Sequence, residues 1–186
     1  MELDVRPLTP DTWDDFETVM GPRGGDAGCW CRYNRLSSRE FDAAKGGPNR
    51  AAIRALVDGG EVPGLIGYLD GKPIGWVAVQ PREVYGRLTR SRVAKPLDDR
   101  AAWAVSCFVV PKEHRGRGVA SALLEAACRY AAGRGATLIE GYPVEPREDR
   151  MPAFWAWMGF ASMFEDAGFE EVDRRTETRP FMRREL

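Results

Sequence analysis

The stretch Val105-Ser106-Cys107-Phe108-Val109-Val110-Pro111-Lys112-Glu113-His114-Arg115-Gly116-Arg117-Gly118-Val119-Ala120-Ser121 decides how the rest of the chain is read. Its apolar first part is long enough for one buried strand, and Pro111, which has no amide hydrogen to give a ladder, closes it. Lys112 to Gly118 is cationic and carries two glycines. From Val119 to Ala132 the composition turns to alanine and leucine, and Val119, Leu123, Ala126 and Tyr130 recur on one face, which predicts an amphipathic helix. Gly133 and Gly135 suit its exit, and Thr137 to Tyr142 reads as a second strand. A helix start leaves its first amide hydrogens unpaired and carries the positive end of a dipole. Glycines at that point let backbone donors approach a phosphate, and Arg115 and Arg117 add countercharge, so a pyrophosphate is the natural guest.

A glycine pair beside a helix also occurs in ordinary crossovers, where it only permits a tight turn. The order of parts is more specific. Arg115-Gly116-Arg117-Gly118-Val119-Ala120 resembles the Arg/Gln-x-x-Gly-x-Gly/Ala loop of the GNAT N-acetyltransferase superfamily, and Val109-Val110-Pro111 sits where that family has its Val-x-Pro strand end. Two other nucleotide sites compete. A P-loop needs Gly-Lys-Ser/Thr after its glycines, and here Val119-Ala120 follows Gly118. A dinucleotide site could use Gly116, Gly118 and, about twenty residues on, Glu140, yet its third glycine is Ser121 and charged residues separate strand from glycines. It stays as a weak runner-up.

With 186 residues, 44% of them hydrophobic, the chain fits one domain over 1–186 with a sizeable core. A formal net charge of -1 argues against a dedicated nucleic-acid binder. No run reaches membrane-span length, and Met1-Glu2-Leu3-Asp4 lacks the start of a signal peptide, so a cytoplasmic location and no membrane partner are expected. Of the four cysteines, Cys107 falls in a predicted strand and Cys128 in a predicted helix, without the paired loop spacing of structural zinc. Free thiols and no metal are expected. Cys29-Trp30-Cys31 is one Cys-x-Cys without a second pair.

Leu3 to Leu8 reads as a first strand, with Thr9 as N-cap and Pro10 opening a helix through Trp13, Phe16, Val19 and Met20. Gly28 to Tyr33 reads as a small aromatic and thiol-bearing satellite core. Ser37-Ser38-Arg39-Glu40 has capping-box spacing, and Asn49 is a candidate cap for a run through Ile53, Leu56 and Val57. Gly64 to Leu69, Asp70-Gly71 and Ile74 to Val79 form a hairpin pattern. A meander ahead of the glycine loop argues against a doubly wound domain, whose glycine loop follows its first strand. Pro81 to Arg100 is polar and reads mainly as solvated surface, with an anionic acceptor or an outer phosphate as the functional alternative. Ala153, Trp157, Phe160 and Phe164 fall at helical spacing, and Glu170 to Val172 and Thr178 to Arg183 supply the last strands.

The resemblance implies an α/β fold of GNAT type, a mixed, mostly antiparallel central sheet with a parallel splayed strand pair, flanked by helices. It implies acetyl transfer from acetyl-CoA, as co-substrate, to a primary amine by direct attack. In that family the strand end, here Phe108, Val109 and Val110, pairs with the pantetheine arm, and amides of Arg115, Gly116, Arg117, Gly118, Val119, Ala120 and Ser121 cradle the pyrophosphate. The segment between the first two helices borders the acceptor pocket, which would bring Trp30 and Tyr33 to the substrate. Aromatic candidates there favour a small-molecule amine over a protein amine.

Many members use a tyrosine four residues before a Gly-Phe pair to protonate the thiol, and here Phe164 precedes Gly168-Phe169. Tyr142, Tyr33 or a water can take that role. Glu140, the acidic residue inside a predicted central strand, is the candidate base, and a hydrogen-bonded structural carboxylate is the equal alternative. His114, in the phosphate loop, is assigned to binding or surface. The missing tyrosine keeps a second function class open, a CoA-binding regulatory or interaction module without turnover. Exposed edge strands, common in this fold, allow a homodimer.

Overall fold

The computed structural model describes residues 3–146 and 156–186. In chain order the elements are β1 (Asp4–Pro7), α1 (Trp13–Met20), α2 (Ser38–Ala44), α3 (Gly47–Asp58), β2 (Gly64–Leu69), β3 (Lys72–Pro81), α4 (Gly86–Arg90), β4 (Trp103–Val109), α5 (Val119–Gly133), β5 (Leu138–Gly141), α6 (Ala161–Asp166), β6 (Glu170–Thr176) and β7 (Arg179–Glu185). The strands make one seven-stranded sheet in the order β1-β2-β3-β4-β5-β7-β6. Every neighbouring pair is antiparallel except β4 and β5. This is the mixed sheet with one parallel pair that the motif implied.

The hairpin between β2 and β3 turns at Asp70 (φ 51°) and Gly71 (φ 74°), both left-handed as a tight two-residue hairpin requires. One sheet face carries α5, whose Val119, Leu123, Leu124 and Ala127 pack with Leu65, Val77, Val79 and Val105. Each large aliphatic side chain buried in this way contributes about 1.5–3 kcal/mol. The helix seats closely because β2 and β3 offer Gly67 and Gly75 beneath it. A side chain at Gly75 would lie 2.9 Å from Leu123 and Val119 carbons. A second cluster sets Trp13, Phe16, Val19 and Met20 of α1 and Ile53 of α3 against Ile66, Tyr68 and Trp76. A third gathers Tyr85, Leu88, Ala104, Tyr142 and Phe181 beside β4 and β5.

Three local expectations need correction. Asn49 does not cap α3. The helix begins at Gly47 after Gly46, with Pro48 in its first turn, and the buried Asn49 amide donates to the carbonyl of Gly28 at 3.2 Å. The aromatic stripe is not one helix: Trp157 and Phe160 precede α6, which starts at Ala161, while Ala153 lies outside the described residues. Apolar spacing alone could not tell a helix from a bent segment packed on two sides. Finally, the polar stretch after Pro81 holds the helix α4 and the buried Arg82, so it is not uniformly surface.

Candidate active site

The loop from Arg115 to Gly118 is shaped by two left-handed glycines. Gly116 (φ 69°) and Gly118 (φ 77°) are both left-handed, and Gly118 is the N-cap of α5. A side chain added at either would meet nothing within 4 Å, so the space beside these amides is open. Val119, Ala120 and Ser121 form the first turn of α5, whose amides have no intrahelical acceptor. Arg115, Gly116, Arg117 and Gly118 are exposed, and no acidic side chain occupies the first turn to compete for the helix dipole. The Nε of Arg115 donates to the carbonyl of Val110 at 2.8 Å, which ties the loop to the strand end. The residues present fit a diphosphate.

The strand end is shaped by a splay and a bulge. β4 and β5 pair only at Trp103 with Ile139, Ala104 with Glu140 and Val105 with Gly141, and then part. Opposite β3 the register jumps, with Ala78 facing Cys107 and Val79 facing Val105, so Ser106 is the extra residue of a bulge. Phe108 and Val109 keep their pairing with Val77 and Trp76 on the other edge. Into the wedge runs the segment from Trp157 to Phe160. The Phe108 amide donates to the Trp157 carbonyl at 2.7 Å, and the Val144 amide to the Gly159 carbonyl at 2.9 Å. The amide assigned to the pantetheine arm therefore has an internal acceptor.

Glu140 and Tyr142 come together, but in a closed network. Glu140 is fully buried, and one of its oxygens accepts from Arg82 Nη1 at 2.9 Å and from Arg183 Nε and Nη2 at 2.9 and 2.8 Å. The other accepts from the Tyr142 hydroxyl at 2.9 Å. Burial, reinforced by the Glu140 charge, pushes the Tyr142 phenol well above its ordinary value, so it stays a donor. A carboxylate with two guanidinium partners is compensated in place, unlike a free base.

Trp30 and Tyr33 are separated. Trp30 is buried, its ring 6.0 Å from that of Phe16, in the cluster beneath β1–β3. Tyr33 is exposed, stacks edge-on against Phe41 and Trp157 at 5.1 and 5.4 Å, and carries the Arg87 guanidinium 4.0 Å from its ring centre. Through Trp157 it reaches the wedge. The four cysteines are free. Cys31 Sγ accepts from Trp76 Nε1 at 3.0 Å, and its thiol is lowered by Cys107 and Trp76 against the opposing effect of burial. Burial pushes Cys29 up to about 11. Among the described residues no group of His, Cys, Asp and Glu is arranged to hold a metal ion.

Sequence reasoning missed a seam of polar side chains between the second and third clusters. Asn34, buried, donates to the Ser106 carbonyl at 2.9 Å and so fixes the loop after Cys31 to the bulge. Arg35 bonds Gln80 and, at 2.6 Å, Glu61, while Gln80 Nε2 donates to Glu61 at 2.8 Å. Tyr85, 1% exposed, directs its hydroxyl to the same place. The one available signal was a serine and a glutamine placed within otherwise apolar strands.

The comparisons with known proteins agree with this geometry. The profile of the acetyltransferase (GNAT) family matches residues 30–160. Solved structures share the fold. The N-acetyltransferase PaiA from Thermoplasma acidophilum, in complex with coenzyme A, is 12% identical with a TM-score of 0.54, covering 100% of both chains. A GNAT family acetyltransferase from Listeria monocytogenes 4b F2365 is 14% identical with a TM-score of 0.59, covering 100% of this chain and 96% of that one. The GNAT domain of S. lividans PAT is 22% identical with a TM-score of 0.52, covering 99% and 90%. No curated protein sequence matches the chain significantly. A loop, a splayed strand pair and a matching profile define an acyltransferase that uses a CoA thioester. The chain belongs to the GNAT acetyltransferase family, the acetyl-CoA-dependent N-acetyltransferases.

Proposed function

We propose that the protein transfers an acetyl group from acetyl-CoA to a primary amine of a small molecule, by direct attack of the neutral amine on the thioester. The observation that carries this reading is the pair of left-handed glycines, Gly116 and Gly118, exposing the first amides of α5 beside the splayed end of β4. Those amides, with Arg115 and Arg117, would hold the diphosphate, and the edge of Phe108 to Val110 would take the amide-bearing arm. Exposed Tyr33, beside Trp157 and beneath Arg87, supports an acceptor with an apolar or anionic portion. In this reading Glu140 and Tyr142 act as supports that fix β5 against Arg82 and Arg183, and the amine gives up its proton to solvent.

A module without turnover is the second reading, favoured by Phe164 at the position of the family's acidic tyrosine. Calorimetric titration with acetyl-CoA, with NADH as control, followed by thiol release with a panel of small amines and lysine peptides, separates the two. Binding of acetyl-CoA alone with release on a small amine supports transfer. Binding with no release above solvent hydrolysis supports the module, and binding of NADH alone or of neither ligand overturns both.

A further inference from the structure

Tyr85 carries an unpartnered polar group in the core. Its side chain is fully buried between Leu88, Ala104 and Phe181, yet its hydroxyl has no hydrogen-bond partner among the described residues. A buried donor left unpaired costs about 1–3 kcal/mol, so such groups call for a reason. The hydroxyl faces the Ser106 side chain at the bulge of β4, without meeting hydrogen-bond geometry, and its charged and titratable neighbours are Arg35, Cys31 and Cys107. Replacing tyrosine by phenylalanine would fill the same space without the orphan.

The position of this hydroxyl matters on the reading given under Proposed function, on which this inference rests. A ligand whose diphosphate lies at Gly118 and whose arm runs back along Val110 and Phe108 reaches its thioester about 3.3 Å per residue further, beside Cys107 and Ser106. There β4 and β5 have parted, and Trp157, which covers the wedge, packs on the cluster that contains Tyr85. Tyr142 is committed to Glu140, and Phe164 has no hydroxyl. Among the described residues, Tyr85 is the other buried phenol of that cluster.

We propose that the Tyr85 hydroxyl is a hydrogen-bond donor to the acetyl oxygen during transfer. The amine nitrogen forms a bond to the carbonyl carbon, and the carbonyl π pair moves onto oxygen, where it accepts from Tyr85. When the pair returns, the carbon–sulfur bond breaks and sulfur leaves with its electrons. The proton lost from nitrogen balances the one that sulfur gains through solvent. Tyr85 keeps its proton throughout. Burial pushes its phenol far above the ordinary range, which suits a donor that does not ionise.

The test is Tyr85→Phe in the full chain, with acetyl-CoA affinity by calorimetry, thermal melting without ligand, and thiol release with an amine or, where none is accepted, with water. Wild-type binding is measured first, and its absence overturns the reading on which the proposal rests. Given binding, the variant is expected to keep its affinity within twofold, to melt at the same temperature or higher because an orphan donor is gone, and to lose about 10²-fold in rate at unchanged KM. A rate within twofold of wild type, or a wild type with no thiol release above the solvent background, overturns the proposal. A lower melting temperature for the variant also overturns it, since the hydroxyl would then have a structural partner.

Discussion

The Phe108 amide donates to the Trp157 carbonyl at 2.7 Å, across the wedge that opens where β4 and β5 part. An amide makes one good hydrogen bond, so a pantetheine arm and Trp157 cannot both have it. Acetyl-CoA binding is therefore expected to release the segment from Trp157 to Phe160. Hydrogen exchange read by mass spectrometry should show faster exchange at residues 158–161 on adding acetyl-CoA, with Phe108 still protected. Unchanged or slower exchange at 158–161 would mean that the arm takes another path.

Gly118→Ala tests the phosphate loop at small structural cost. The left-handed backbone opposes a Cβ by roughly 1–2 kcal/mol, while the methyl itself meets no neighbour. Melting should fall by a few degrees and acetyl-CoA affinity by about tenfold or more, because the methyl stands where the amides must be approached. Equal affinity in the variant would remove the loop from the binding site.

Glu140→Gln separates support from proton transfer. It leaves Arg82 and Arg183 without their buried anion, and breaking such a pair costs roughly 3–5 kcal/mol. A large fall in the urea midpoint, with the remaining folded protein active, is expected. A stable variant with lost kcat would instead make Glu140 the base.

Phe164→Tyr is expected not to restore the family's usual acid. Phe164 is fully buried, with its ring 4.9 Å from Phe169 and 6.3 Å from Phe108, and Gly141 and Gly159 press against it. A hydroxyl there enters an apolar setting at a cost of about 1–3 kcal/mol. Thiol release should be no faster than wild type and the melting temperature lower. A rise in rate would show that the ring opens to the thioester.

Asp98 contributes one part of the acid limb of stability. Bonds of 2.6 and 3.0 Å from Arg183 hold its carboxyl at about 2, below the ordinary 3.8. A lowered folded value means that its stabilising effect is complete above the ordinary value and drains away as pH falls through about 2. The melting difference between wild type and Asp98→Asn should therefore be largest near neutrality and shrink across that window. A difference independent of pH would show that the ion pair contributes nothing.

The elements that sequence alone determined are those whose signal is local. The Asp70-Gly71 turn, the apolar face of α5, the Pro111 stop and the glycines before Val119 each follow from backbone sterics or side-chain period within a few residues. The mixed sheet with its parallel pair followed from the family resemblance that the loop before Val119 carries, not from these local signals alone. The tertiary structure decided what depends on residues far apart in the chain. Whether Glu140 is a free base or a paired anion turns on Arg82 and Arg183, some 58 and 43 residues away. That Trp30 sinks into the core while Tyr33 stays at the wedge turns on Phe16 and Trp157. The orphan hydroxyl of Tyr85 is visible only as a missing partner, because hydrogen-bond satisfaction is a property of the packed interior, and no spacing along a chain encodes it.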